Sequence, residues 1–101
     1  MCYTYYMTTW KNTKLKQLTK ALLSMKNEAE MLNFLRDVAT LEELEALSSR
    51  WSVVLELEKG TSYRDIAKKT GVSTATITRI AHWLNNGEGG YKTALSRSKK
   101  G

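Results

Sequence analysis

The fold is decided by residues 61–86, which read TSYRDIAKKTGVSTATITRIAHWLNN. Serine is a preferred residue directly before a helix, because its side-chain oxygen accepts a hydrogen bond from an unpaired backbone N–H. Ser62 therefore predicts a short helix over residues 63–70, and Ser73 predicts a second helix that runs to near the end of the stretch. Gly71 suits the left-handed conformation that commonly follows a helix. The stretch is thus predicted to form two helices joined by a tight turn.

The apolar residues of this stretch are the ones that two steeply crossing helices need. Such a crossing requires a small side chain at the contact, a flexible residue in the turn and branched apolar side chains that lock the pair. The residues that meet these needs are Ala67, Gly71, Val72, Ile77 and Ile80, with Ile66 packing beneath the first helix. The pattern predicts a helix-turn-helix motif over residues 62–86.

The other side of each helix is small, polar or basic. These residues are Arg64, Lys68 and Lys69 on the first helix and Ser73, Thr74, Ala75, Thr76, Thr78, Arg79 and His82 on the second. In a helix-turn-helix motif the second helix reaches base edges in the major groove, and basic residues nearby contact phosphates. Threonine is a mediocre helix former, so a helix that is merely solvated does not explain why this segment contains so many threonines. These residues are therefore predicted to bind double-stranded DNA.

Positive charge is concentrated in the same part of the chain. The net charge is +6 over 101 residues. Residues 60–101 carry eight basic and two acidic side chains, whereas residues 41–59 carry two basic and five acidic ones. A basic segment attracts a polyanion such as DNA, although excess lysine also aids solubility. The alternative hypothesis is a helix-turn-helix module that binds another protein or RNA.

Three further helices are predicted before the motif. Residues 14–26 repeat leucine and methionine at steps of three and four, which predicts an amphipathic helix. Asn27 is a suitable N-cap for a second helix that ends near Ala39. A third and longer helix ends at Gly60, and between residues 51 and 57 it is apolar on more than one side.

The long third helix favours a homodimer. A helix that is apolar on more than one side is buried on more than one side, and so short a chain offers few partners of its own. A second copy would supply the missing cover. The alternative is a central core helix in a monomer. Trp51 and Trp83 lie on apolar faces and are expected in the core.

Other classes of protein lack support in the sequence. Cys2 is the only cysteine, which excludes an intramolecular disulfide and fits a reducing cytoplasm, where we expect the protein at the nucleoid. No apolar run approaches the roughly 20 residues that span a bilayer, so no membrane partner is expected. His82 is the only histidine, which leaves no set of residues for a metal site or a catalytic Cys/His pair. We therefore expect neither an enzyme nor a bound cofactor.

The domain organisation follows from these elements. Residues 1–12 are expected to be a flexible N-terminal tip, in which Met7 is an alternative start to Met1. Residues 13–96 are expected to form one helical DNA-binding domain. Residues 97–101 form a basic tail that is expected to add non-specific attraction to DNA.

Two segments of the chain resemble the Trp repressor family. They read EALSSRWSVVLELEKG (residues 45–60) and TSYRDIAKKTGVSTATITR (residues 61–79), and the GEGGY at residues 87–91 is similar to its TrpR-like, YerC/YecD-type branch. The resemblance covers about residues 14–95. It implies an all-α helical bundle and an intertwined dimer with a helix-turn-helix in the C-terminal half of each chain. The implied function is a transcription regulator, expected to be a repressor, that reads a palindromic operator.

The resemblance also assigns roles to residues. It implies that Thr74, Ala75 and Thr78 face bases, and that Arg64 and Lys68 lie near the DNA backbone or the groove edge.

Arg50 and Arg79 match the two arginines that flank the bound amino acid in the tryptophan-sensing members. The residues around them differ, because Ile80 stands where those members have a glycine and Trp83 where they have a serine. A branched side chain occupies much of the slot that an indole needs. This pocket is therefore predicted to be occluded, and the protein is not expected to respond to tryptophan.

Overall fold

The computed structural model describes residues 10–98, and this part of the chain is entirely helical. Its helices are α1 (Thr13–Leu23), α2 (Glu28–Val38), α3 (Leu41–Glu58), α4 (Tyr63–Thr70), α5 (Thr74–Asn86) and α6 (Gly90–Ser98), and no strand occurs among these residues. The predicted all-helical class is confirmed. The predictions for Cys2, for Met7 and for residues 99–101 of the tail lie outside the described residues.

The chain divides into two compact units, residues 1–41 and residues 42–101. The described part of the first unit contains α1 and α2. Neither helix has a buried side chain, and Leu23 and Leu32 are 80% and 59% exposed. Both helices are amphipathic. Because none of their side chains is buried, much of the apolar side of each helix is exposed to solvent in the described single chain.

The predicted cap of α2 is confirmed. The Asn27 side chain accepts a hydrogen bond from the backbone N–H of Glu30 (2.9 Å), and the Glu30 carboxylate accepts one from the N–H of Lys26 (2.9 Å). The pair differs from a capping box in that Glu30 accepts from the residue before the N-cap rather than from the N-cap itself. Helix α1 ends at Leu23 and not at residue 26 as predicted, and the extended backbone of Asn27 separates it from α2.

The second unit is built around a small buried core. Val53 and Val54 of α3, Ile66 of α4, Ile77 and Ile80 of α5 and Leu95 of α6 form one cluster in which no side chain is more than 6% exposed. The side chains packed against this cluster include Trp51, Leu57, Ala67, Val72, Leu84 and Tyr91. All the apolar residues that were predicted to lock the two motif helices together therefore lie in the core or against it.

Two serines and a glycine fix the ends of α4 and α5, which together we call the α4–α5 pair (residues 62–86). The side chains of Ser62 and Ser73 each accept a hydrogen bond, 3.2 Å long, from the backbone N–H three residues later. Gly71 ends α4 in the left-handed conformation, with a φ of 75°. All three predicted end signals are confirmed.

Trp51 and Trp83 differ in their burial. Trp51 packs against the core and stacks on Tyr91, with ring centroids 6.4 Å apart. Trp83 is 58% exposed, so its prediction as a core residue is wrong. The core-facing direction of α5 is set by Ile77 and Ile80. At roughly 100° per residue, Trp83 lies at the edge of that face rather than at its centre.

Gly71→Ala tests the backbone conformation of the turn. A Cβ built at Gly71 meets nothing within 4 Å, so steric contact adds no cost. The cost of placing alanine in the left-handed conformation remains, about 1 kcal/mol. We expect the free energy of unfolding, measured by urea titration, to fall by that amount.

Gly90→Ala is the matched control for this variant. A Cβ at Gly90 also meets nothing within 4 Å, and Gly90 is helical without a positive φ. Alanine there restricts the unfolded chain and should be neutral or stabilising. Equal stability of the two variants would show that the turn does not require the left-handed conformation.

Candidate nucleic-acid interface

The residues predicted to contact DNA lie on the surface of the α4–α5 pair. The exposed ones are Arg64, Lys68, Lys69, Ser73, Thr74, Ala75, Thr78, Arg79 and His82, and Thr76 is partly buried. The opposite face of α5 holds Ile77 and Ile80 in the core. Because a close-packed core restrains the helix, the polar face of α5 has a defined orientation within the second unit.

Three side chains near the start of α5 are linked by hydrogen bonds. The Ser73 hydroxyl donates to Thr76 Oγ1 (3.1 Å), and Arg79 Nη2 donates to the same oxygen (3.2 Å). The Arg79 side chain is thereby drawn toward the N-terminal end of α5, the end whose residues contact base edges in helix-turn-helix proteins. A guanidinium has five N–H donors, so Arg79 retains donors for a phosphate or a base.

Thr78 combines a local hydrogen bond with an exposed position. Its hydroxyl donates to the backbone carbonyl of Thr74, one turn earlier (2.9 Å). Such back-bonding is common for threonine in helices. The hydroxyl oxygen still accepts hydrogen bonds, so Thr78 offers an acceptor and a methyl group to a partner. An acceptor matches the amino groups of adenine and cytosine, and a methyl group matches that of thymine.

His82 lies in the C-terminal half of α5. Its Nδ1 is 3.4 Å from the Asn86 side-chain nitrogen, and its ring meets the Trp83 indole edge-on, with centroids 6.4 Å apart. These neighbours place the imidazole on the exposed surface of the helix. Its role as a phosphate or groove contact stays a prediction.

Lys69 differs from the neighbouring Lys68, because it forms an ion pair with α3. Its Nζ lies 3.2 Å from Oε1 of Glu56, whose side chain is only 14% exposed. The Thr61 hydroxyl donates to the same carboxylate oxygen (2.8 Å), and Lys59 Nζ lies 3.3 Å from the other one. Sequence reasoning missed the role of Glu56. The two ion-pair partners are 13 positions apart, and no local spacing rule connects them.

Arg50, Arg79, Ile80 and Trp83 are brought together by the fold. They line a concavity of about 670 Å³ in the second unit, which Glu88 also lines. The exclusion of an indole-sized ligand from this concavity by Ile80 and Trp83 stays a prediction.

The two large side chains of the concavity, Ile80 and Trp83, pack in different places. Ile80 belongs to the core and is 5% exposed. The Trp83 indole lies against the backbone of Gly87, where an added Cβ would be 2.9 Å from the ring atom Cε3. Both side chains therefore form walls of the concavity.

Two other kinds of feature do not occur among residues 10–98. No group of three or more His, Cys, Asp or Glu side chains in this range could hold a metal ion. None of its helices has both the length and the apolar character needed to cross a membrane.

Comparison with known proteins identifies the family. The family model of the Trp repressor protein matches residues 13–99. The chain belongs to the Trp repressor family. The Trp repressor is a helix-turn-helix DNA-binding protein, and the family is one of DNA-binding regulators rather than of enzymes.

Similar proteins are known from several bacteria. The uncharacterised protein YerC of Bacillus subtilis (strain 168) is 39% identical over 87 residues, which are 86% of this chain and 84% of YerC. The structure of a TrpR-like protein from Eubacterium eligens ATCC 27750 has a TM-score of 0.83 and 42% identity, and the match covers 88% of this chain and 92% of that one. A candidate Trp repressor from Staphylococcus aureus has a TM-score of 0.84 and 32% identity, with 90% and 91% covered. The predicted resemblance to the TrpR-like, YerC-type branch is confirmed.

The pH dependence of stability tests the surroundings of Glu56. Hydrogen bonds from Thr61 and Lys69 hold the pKa of this carboxyl below its ordinary value. A carboxyl whose pKa is lowered by folding stabilises the protein above its ordinary pKa of about 4.3, and this contribution is lost as the pH falls through the lowered value. Glu56→Gln should therefore be less stable than wild type at pH 7, and the gap should close in acid.

Thermal unfolding of both proteins from pH 7 to pH 3 measures this gap. Thr61→Val is the companion variant, since it removes one donor and leaves the carboxylate in place. It should show a smaller deficit at pH 7. A deficit of Glu56→Gln that stays constant over the whole range would mean that the negative charge of Glu56 does not stabilise the fold.

Proposed function

We propose that this protein is a sequence-specific DNA-binding transcription regulator in which α5 reads double-stranded DNA. The observation that carries the proposal is the two-sided build of α5. Ile77 and Ile80 anchor one side in the core, while the other side exposes the small and polar residues beginning at Ser73. Membership of the Trp repressor family supports the same function. The surplus of basic residues over residues 60–101 adds the attraction for phosphates that such binding needs.

The proposed contacts divide into two groups. Thr74, Ala75 and Thr78 read bases, with Ser73, Thr76, Arg79 and His82 around them on the same helix. Arg64 and Lys68 of α4 contact the sugar-phosphate backbone or the groove edge, and fix the register of α5 without reading sequence themselves. The paired Lys69 is assigned a different role below.

We also propose that the regulator is a homodimer. Helices α1 and α2 bury no side chain in the described chain, and Leu23, Leu32 and Leu41 are each more than half exposed. Apolar surface of this extent marks an interaction site, and a second copy of the chain would cover it. A two-fold dimer presents two α5 helices about 34 Å apart, one turn of DNA, and so reads a palindrome. Occupation of such an operator at the nucleoid in the cytoplasm would repress the adjacent gene.

Selection of bound DNA from a random pool, followed by gel-shift titration, tests this function. We expect an enriched palindrome. Thr78→Ala should relax the preference at one or two base positions of each half-site, because it removes the acceptor and the γ-methyl group. Lys68→Ala should weaken binding to all sequences alike and reduce the slope of log K against log salt by about one per subunit.

Each outcome of this experiment has a defined meaning. An enriched site without two-fold symmetry would contradict the dimer and leave DNA binding intact. If wild-type protein enriched no sequence and neither variant changed the titration, the α4–α5 pair would serve another partner. The alternative hypothesis, a module that binds a protein or RNA, would then take its place.

Finally, we propose that tryptophan does not control this protein. By the resemblance to the tryptophan-sensing members, Ile80 stands in place of a glycine and Trp83 in place of a serine. The indole of Trp83 therefore already forms part of the wall. Glu88 lines the same concavity as Arg50 and Arg79. Its carboxylate would compete with that of a free amino acid for the two guanidinium groups.

Calorimetric titration with L-tryptophan measures this directly, with and without the selected operator. We expect no saturable heat at a dissociation constant below about 100 µM, a binding free energy near −5.5 kcal/mol. Trp83→Ser removes the wall and serves as the contrast: an affinity that appears only in this variant would support the proposal. Saturable binding to wild type in that range would contradict it.

A further inference from the structure

Glu56 gathers three hydrogen-bond donors around one carboxylate. Thr61 and Lys69 donate to Oε1 at 2.8 and 3.2 Å, and Lys59 donates to Oε2 at 3.3 Å. Lys59 and Thr61 belong to the segment between α3 and α4, and Lys69 belongs to α4. The carboxylate therefore links successive parts of the chain at the point where α3 leads into the α4–α5 pair.

The position of Glu56 in α3 is electrostatically unfavourable without these donors. It lies in the last turn of α3, where the unpaired carbonyl groups of the helix carry partial negative charge. Its side chain is only 14% exposed, so water solvates it poorly. An anion in such a place needs local donors. Among residues 10–98, Lys69 is the one donor that reaches it from a separate helix.

The backbone around Glu56 holds the same junction. The N–H of Thr61 donates to the Glu56 carbonyl (3.1 Å), the N–H of Gly60 donates to the Leu57 carbonyl (3.0 Å), and Gly60 has a φ of 83°. These two bonds around a left-handed glycine form a Schellman motif. Thr61 thus bonds to both the backbone and the side chain of Glu56, which fixes the carboxylate in front of α4.

Lys68 and Lys69 point in different directions from α4. Neighbouring residues of an α-helix are about 100° apart around its axis. Lys69 is directed at α3 by its ion pair, and Lys68 is exposed elsewhere on α4. The two lysines are alike in sequence and distinct in surroundings.

From this geometry we infer that Glu56 is a positioning residue for DNA binding: it captures Lys69, ties α4 to α3 and withholds Lys69 from the DNA phosphates. The inference rests on the proposed function. In it, Lys68 contributes a phosphate contact and Lys69 contributes the placement of the α4–α5 pair. Glu56 thereby limits the number of charges that the protein presents to DNA.

The salt dependence of DNA binding separates this role from a merely structural one. The slope of log K against log salt counts phosphate contacts, about 0.9 for each on double-stranded DNA. We expect Lys68→Ala to reduce the slope by about one per subunit and Lys69→Ala to leave the slope at the wild-type value. Glu56→Gln releases Lys69 to the DNA and should steepen the slope by about one per subunit. The double variant Glu56→Gln with Lys69→Ala should return to the wild-type slope.

Two outcomes overturn the inference. If Lys69→Ala reduced the slope as much as Lys68→Ala, Lys69 would leave Glu56 to pair with a phosphate. If Glu56→Gln left the slope unchanged, Glu56 would withhold nothing from the DNA. Circular dichroism of each variant at the assay temperature shows that it is folded, and the lysine variants give their result even if Glu56→Gln is not.

Failure of the proposed function gives a different signature. Wild-type protein that shows no salt-dependent binding to any DNA would remove the function and this inference with it. Normal wild-type binding together with a wild-type slope for Glu56→Gln would remove the inference alone.

Discussion

The second unit depends on the burial of Ile66 and Ile77 against Val53 and Val54. All four side chains are fully buried, and they come from three different helices. Full burial of an aliphatic side chain of this size contributes about 1.5–3 kcal/mol, so this contact outweighs any single surface interaction of the unit. Helix α4 has only eight residues and is too short to be stable on its own. Its position is therefore determined by Ile66 and by its end caps.

Fixing the apolar side of α5 also fixes its polar side. The side chains of a helix project in fixed directions relative to one another, so the burial of Ile77 and Ile80 determines the direction in which Thr74 and Thr78 are exposed. The cap at Ser73 determines where the helix starts, and hence which residues stand at its N-terminal end. No separate device is needed to present this surface. The same few residues that make the fold stable orient the surface that is proposed to read DNA.

Local signals in the sequence were sufficient for most of the fold and for placing the candidate site residues on the surface of the α4–α5 pair. Ser62, Gly71 and Asn27 act through hydrogen bonds or backbone conformations within four residues, and such local effects can be predicted from the sequence. The role of Glu56 could not be predicted from the sequence, because it depends on a contact across a turn with Lys69, 13 positions away. The exposure of Trp83 was misjudged for a related reason. Apolar periodicity gives the approximate direction of a helix face, whereas the edge of that face depends on which neighbouring helix covers it.

The concavity and the polar surface of α5 share residues, so a change in the charge or side-chain positions of one also affects the other. Thr76 and Arg79 line the concavity, and the same two side chains are hydrogen-bonded to each other near the start of α5. A group that changed the charge of the concavity would act on Arg79 and, through it, on the surface proposed to face DNA. The walls are set by packing: Trp83 lies against Gly87, where any larger residue would collide with the indole and with the Trp83 carbonyl. The wall that Trp83 forms is thus a consequence of how α5 ends, because a larger residue at position 87 would displace the indole.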